Sequence, residues 1–174
     1  MHVILVIGGA QQGKTPYIKK YSRNKRLLVF DVQNEYGNKV KYAGQKAENL
    51  PTDNSQPRSR FINLDVREFI EVCKKKRNTI CVFEEATMFF QGATGEDTRM
   101  LIFGKAHTHN NYILVFHSIN SVPPRIMEGT DYVVLFKTND EYHRVETKYP
   151  RLINAFVKLQ SMKDGSHLVV KTLV

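Results

Sequence analysis

Short apolar runs punctuate the chain at residues 3–7 (Val-Ile-Leu-Val-Ile), 26–31 (Arg-Leu-Leu-Val-Phe-Asp), 79–83 (Thr-Ile-Cys-Val-Phe), 112–116 (Tyr-Ile-Leu-Val-Phe) and 132–136 (Tyr-Val-Val-Leu-Phe). None alternates apolar with polar, the pattern of strands covered on both faces, as in a parallel sheet. Helical patterning fills the intervals. A helix is expected over 14–22, and a second starts at Asp65, where Glu68 completes a capping-box-like pair and Val66, Phe69, Ile70 and Cys73 fall at i, i+3, i+4 and i+7. Further helices are expected over 99–107 and 151–160, a short turn or helix at Pro123-Pro124, and a last strand over 167–174. Strands separated by helices require crossover connections, so the expected fold is α/β: a doubly wound, mostly parallel sheet with helices on both faces. Residues 35–60 contain Gly37, Gly44, Pro51, Asn54, Ser55 and Pro57 with no sustained period, and read as a long, mobile excursion carrying little core.

At 174 residues and 41% hydrophobic composition, the chain is expected to form a single domain over 1–174. Cys73 and Cys81 lie in or beside apolar segments without metal-ligand spacing, which favours a reduced, buried pair. With no stretch of about 18 apolar residues and no basic leader, a cytoplasmic protein without membrane contact is expected. The net charge of +9 is partly local, in Lys19, Lys20, Arg23, Lys25 and Arg26 and in Lys74, Lys75, Lys76 and Arg77. Such clusters suit polyanion partners, and equally suit helix C-termini, where cations complement the dipole.

The most specific signal follows the first run. Gly8, Gly9, Ala10, Gln11, Gln12, Gly13, Lys14 and Thr15 spell G-x-x-x-x-G-K-T, a phosphate-binding loop between a strand and a helix. Glycine lets such a loop turn its N–H groups toward phosphate oxygens. Lys14 would reach the β- and γ-phosphates of ATP, Thr15 would offer its hydroxyl to Mg²⁺, and the following helix would aim its N-terminal dipole at the anion. By accident the four fixed positions arise in roughly one chain in a hundred of this length. The third run then ends on Glu84-Glu85, where a phosphate-loop enzyme places one carboxylate for the metal and another for the attacking water. Glu84 is therefore the expected metal residue alongside Thr15, and Glu85 the expected catalytic carboxylate.

The octet, the Asp31-Val32-Gln33-Asn34-Glu35-Tyr36 element, Phe83-Glu84-Glu85-Ala86 and a strand ending on a polar residue together resemble the HerA/FtsK superfamily of phosphate-loop ATPases. That group includes DNA translocases, viral genome-packaging ATPases, conjugation ATPases and zonula occludens toxin-like phage assembly proteins. Gly104-Lys105-Ala106-His107 is similar to the family's basic segment. Two positions depart from the pattern: Glu84 stands where the family usually has aspartate, and His117 or Ser118 where its sensor is commonly glutamine. If His117 takes that role, turnover becomes pH-sensitive, since imidazole changes charge near neutral pH.

The resemblance implies a ring homo-oligomer in which an arginine reaches the neighbouring subunit's nucleotide, Arg99 being the first choice and Arg125 the second. It implies double-stranded DNA as a partner, held by sequence-independent phosphate contacts, and a virion or portal component as another. The expected function is thus Mg-ATP hydrolysis coupled to DNA translocation or packaging. Two other readings share the octet: a phosphate-loop kinase of a nucleotide or small metabolite, and a nucleotide-dependent assembly or DNA-binding protein with little turnover.

Overall fold

Alternate side chains of each apolar run leave opposite faces of one sheet, and this explains why the runs are unbroken. In β1 (Val3–Ile7), Val3, Leu5 and Ile7 enter one core while Ile4 and Val6 enter the other. The computed structural model describes residues 1–33, 35–36, 58–61, 65–90 and 104–172. Its strands continue with β2 (Leu27–Phe30), β3 (Arg58–Phe61), β4 (Ile80–Phe83), β5 (Asn111–Phe116), β6 (Tyr132–Phe136) and β7 (His167–Lys171). They form a seven-stranded sheet in the order β3-β2-β4-β5-β1-β6-β7, parallel throughout except for the antiparallel β6–β7 pair.

Helices cover both faces. Helix α1 (Lys14–Tyr21) lays Ile18, Tyr17 and Tyr21 over the Ile4–Val6 side. Helix α2 (Val66–Lys75) covers the other side with Phe69, Ile70 and Cys73, and starts as its sequence predicts, with the Asp65 side chain accepting from the Arg67 N–H at 2.7 Å. The same side receives α3 (Ala86–Phe90), α5 (Pro124–Glu128), α6 (Tyr142–Lys148) and α7 (Ile153–Gln160), while the short α4 (Lys105–Thr108) precedes β5. Cys73 and Cys81 are free thiols buried in that core. Among the described residues, no helix is long and apolar enough to cross a membrane.

The pattern missed or misread several elements. β3, with the sequence Arg-Ser-Arg-Phe, begins inside the segment expected to be an excursion, and pairs Phe61 with Phe30. The rest of that excursion, apart from Glu35 and Tyr36, lies outside the described residues. α6 had no counterpart in the pattern, whereas the helix expected over 99–107 is helical in its described end, α4, with 99–103 outside the described residues. β7 is an edge strand whose residues alternate between exposed and half-buried.

Candidate functional site

The chain leaves β1 toward β2 on one side, whereas the β5–β6 connection passes to the other, so the carboxyl end of β1 lies where the winding changes direction. Open α/β sheets bind ligands in that crevice. The octet sits there, moored on both sides: the Gly8 N–H donates to the Phe116 carbonyl at 3.1 Å and the Gly9 N–H to the Lys137 carbonyl at 2.8 Å. Gly8 is packed so closely that a Cβ there would lie 2.6 Å from Phe136 Cβ, and Gly13 has φ +92°, so each glycine answers a separate geometric demand. Gln11 also adopts a left-handed backbone, with φ 59°. Lys14, the first residue of α1, donates from Nζ to the Gly8 and Gly9 carbonyls, both at 2.8 Å, which holds the ammonium inside the loop's own curve. Burial lowers the Lys14 pKa, while Glu84, Glu85 and Glu35 oppose that shift.

Carboxylates face this cation from the ends of neighbouring strands. Glu84, just beyond β4, is only 6% exposed and accepts from the Tyr36 hydroxyl at 2.7 Å. Burial raises its pKa to about 7; the Tyr36 hydrogen bond pulls the other way, and Glu35, Asp31 and Glu85 add to the rise. The Tyr36 phenol is in turn raised well above its ordinary value, by burial first and by Glu84 second. Asp31, fully buried at the end of β2, accepts from the Glu35 N–H at 2.8 Å and the Tyr36 N–H at 3.2 Å, and lies 3.6 Å from Arg60 of β3. This turn delivers Glu35 to the octet, where its carboxylate accepts from the Thr15 hydroxyl. Lys19 braces the turn, donating to the Glu35 carbonyl at 2.6 Å and standing over the Tyr36 ring at 5.1 Å.

Glu85 occupies a different environment. Its backbone is left-handed at φ 55°, a conformation that costs a non-glycine residue about 1 kcal/mol or more and marks sites where the surroundings dictate direction. Its carboxylate accepts from Gln33 Nε2 at 2.9 Å and from His117 Nε2 at 2.7 and 2.8 Å to its two oxygens. His117, just beyond β5, therefore reaches the neighbouring carboxylate. Ser118 turns away: its hydroxyl donates to Asp140 at 2.5 Å, and Asp140 also accepts from the Ile119 and Asn120 N–H groups.

Of the residues singled out from sequence, the octet, Glu84, Glu85 and His117 thus meet at one end of the sheet. Arg99 lies outside the described residues, and Arg125 is exposed on the first turn of α5. Sequence reasoning gave no site role to Gln33, Glu35 or Tyr36, although all three lie in the Asp31–Tyr36 element it singled out. An acidic side chain a few residues beyond a strand that ends in aspartate was the available signal.

The cluster offers oxygen donors only: the Thr15 hydroxyl with the carboxylates of Glu35 and Glu84. That set fits magnesium, a hard cation that takes a few protein oxygens and completes its shell with water and phosphate. Among the described residues, no group of three or more His, Cys, Asp or Glu side chains is placed to hold a metal without such help.

No family model and no curated protein matches the sequence. Solved structures do match the fold. The genome packaging NTPase B204 of Sulfolobus turreted icosahedral virus 2 aligns in its AMP complex with a TM-score of 0.78 at 15% identity, over 98% of this chain and 92% of that chain. Its ATPγS complex gives 0.75 at 15% identity with the same coverage. B204 of Sulfolobus turreted icosahedral virus, described as a DNA-packaging ATPase, gives 0.72 at 15% identity, again over 98% and 92%. The chain has the α/β P-loop NTPase fold of these proteins.

Proposed function

We propose that this protein is a Mg-ATP-hydrolysing motor of the HerA/FtsK type, which couples turnover to the movement of double-stranded DNA in translocation or viral genome packaging. The observation that carries the reading is the convergence of Lys14, Thr15, Glu84 and Glu85 on one crevice, in a fold shared with packaging NTPases crystallised with ATP analogues.

In this reading the octet's N–H groups and Lys14 bind the β- and γ-phosphates, for which the ammonium exchanges its two carbonyl partners. Magnesium would be held by Thr15 with Glu84 in support, and supplies neutralisation of the phosphate charge. Holding the cation would require the Thr15 hydroxyl to give up its bond to Glu35. Glu85 takes the proton of the water that attacks the γ-phosphorus, the bond to the bridging oxygen breaks, and ADP and phosphate leave. Gln33 and His117 fix the carboxylate's direction. Subunits are proposed to form a ring, with Arg99 or Arg125 completing the neighbour's site and a virion or portal structure as the assembly served.

The test is Mg-dependent phosphate release from ATP by the wild type, Lys14→Ala and Glu85→Gln, with and without double-stranded DNA over a salt series. Release that DNA stimulates and both substitutions abolish is expected. One observation favours a reading with little turnover: the Glu85 carboxylate is already engaged by two side-chain donors, Gln33 and His117. ATP binding without release, with or without DNA, would overturn the motor and leave that reading and a phosphate-loop kinase, which a screen of phosphate acceptors separates.

A further inference from the structure

At the opposite end of the sheet, β2 and β4 begin beside a recess of about 300 Å³. Arg26, Lys75, Lys76 and Arg77 line it, with Leu27, Leu28 and Thr79 as its remaining described wall. The cations come from two separate places in the chain, the approach to β2 and the exit of α2, so they are not merely the basic last turn of one helix. Among the described lining residues there is neither a carboxylate nor an aromatic ring. Two other surface cations have carboxylate partners, in the pairs Lys137–Asp164 and Arg144–Glu141. Lys74, which lies just outside the recess, is taken up by Glu71.

The rim is also rigidly built. Asn110, fully buried, donates from Nδ2 to the Cys73 carbonyl at 3.0 Å and the Lys76 carbonyl at 3.1 Å, and accepts from the Thr79 N–H at 3.0 Å. Asn78 takes a left-handed backbone at φ 53°, and its N–H donates to the Thr108 carbonyl at 3.2 Å. Arg77 is steered by its bond to the His107 carbonyl, which leaves most of its guanidinium donors available. The basic turn is thereby held before any partner arrives, which reduces the ordering cost of binding.

We infer that this recess is a docking site for the phosphate backbone of duplex DNA, separate from the nucleotide site of the same subunit. The inference rests on the motor reading for its choice of polyanion. β4 alone spans roughly 13 Å between the two ends, so these cations do not reach a nucleotide held by their own octet. Paired lysine and arginine suit phosphodiester oxygens, arginine by its fork and lysine by its point charge. Single strands are gripped largely by stacking on aromatic rings, and the recess wall offers none, so the duplex backbone is the occupant that fits. Binding there is sequence-independent and sensitive to salt.

The experiment measures binding of a short random-sequence duplex, by fluorescence anisotropy over a salt series, to wild type, Arg26→Gln/Lys76→Gln/Arg77→Gln and the charge-keeping Lys76→Arg/Arg77→Lys. The triple variant is expected to bind at least about tenfold more weakly, and its log K against log salt slope to shrink by about 2 to 3, at ~0.9 for each phosphate left without its cation. The charge-keeping variant should bind like wild type, and all three should bind ATP and release phosphate equally without DNA. Equal duplex binding by the triple variant overturns the site. So does a failure of its DNA-free hydrolysis, which assigns the recess to contact with a neighbouring subunit. A wild type that hydrolyses ATP and binds duplex no better than the triple variant removes this inference alone; one that hydrolyses ATP but binds no duplex removes this inference and duplex DNA as the motor's cargo together; one that binds duplex through the recess but hydrolyses nothing removes only the motor.

Discussion

The two ends of β4 carry opposite chemistry. Beyond Phe83 stand Glu84 and Glu85, one buried and one on a left-handed backbone, facing a lysine curled within its own loop. Before Ile80 stands a basic turn pinned by a single buried asparagine, Asn110. At the first end, Glu84 and Tyr36 are buried against each other and burial raises both pKa values; at the second, charges remain in water and only the backbone beneath them is fixed. Chemistry on a phosphate requires dry, directed groups, whereas holding a polyanion requires hydrated charge on a stiff support. One strand can carry both proposed roles because its four residues are wholly apolar and make no demand on either end.

The sharpest way to break the contrast is Lys14→Ala, which should lower phosphate release by about a hundredfold or more while leaving duplex binding at the far end intact. Glu85→Gln comes next. It should lower phosphate release by about a hundredfold, with ATP binding retained, as equilibrium titration would show, because only the proton acceptor is removed. Gly8→Ala attacks the support rather than the chemistry: the added Cβ meets Phe136 Cβ close to the backbone of β6, an overpacking that costs about 1–3 kcal/mol and should appear as a lower thermal midpoint.

Glu84 sharpens the comparison through pH. Its pKa is higher in the folded chain than in an unfolded one, so its contribution to stability is complete below the ordinary carboxylate range and is lost as pH rises through about 7. The nucleotide-free, metal-free protein should therefore lose thermal midpoint over that window, and Glu84→Gln should lose less of it. The smallest effect belongs to His117→Gln, which keeps a donor for Glu85 but no ionisable ring. Turnover should fall only about severalfold in a phosphate-release assay.

The central strands were legible in the sequence because both faces are covered, which leaves no polar residue in β1, β2 or β4. The octet was legible because phosphate binding constrains the residue types themselves. β3 was not: at the sheet edge, one of its polar residues, Arg60, is buried because Asp31 of the adjoining strand end compensates its charge. A long-range ion pair of this kind has no local pattern. Ordinary loop composition likewise hid Tyr36, which is 2% exposed and has its hydroxyl committed to Glu84, because its burial depends on a strand end distant in sequence. The direction of β7 also escaped the pattern, since edge strands in either sense read alike.

The place of β1 in the sheet also bears on how the protein is made. Its partners on either side are β5 and β6, with Val3 opposite Tyr112 and Ile4 opposite Tyr132. During synthesis, β1 emerges before the other described strands of its sheet yet has no neighbour until β5 and β6 have followed it. Contacts so distant in sequence form slowly, and until they do, five consecutive apolar residues stay open to other chains. Nascent chains that stop short of β5 therefore have no bed for the loop, and the nucleotide site proposed above would be complete only after the sheet has closed on both sides of β1.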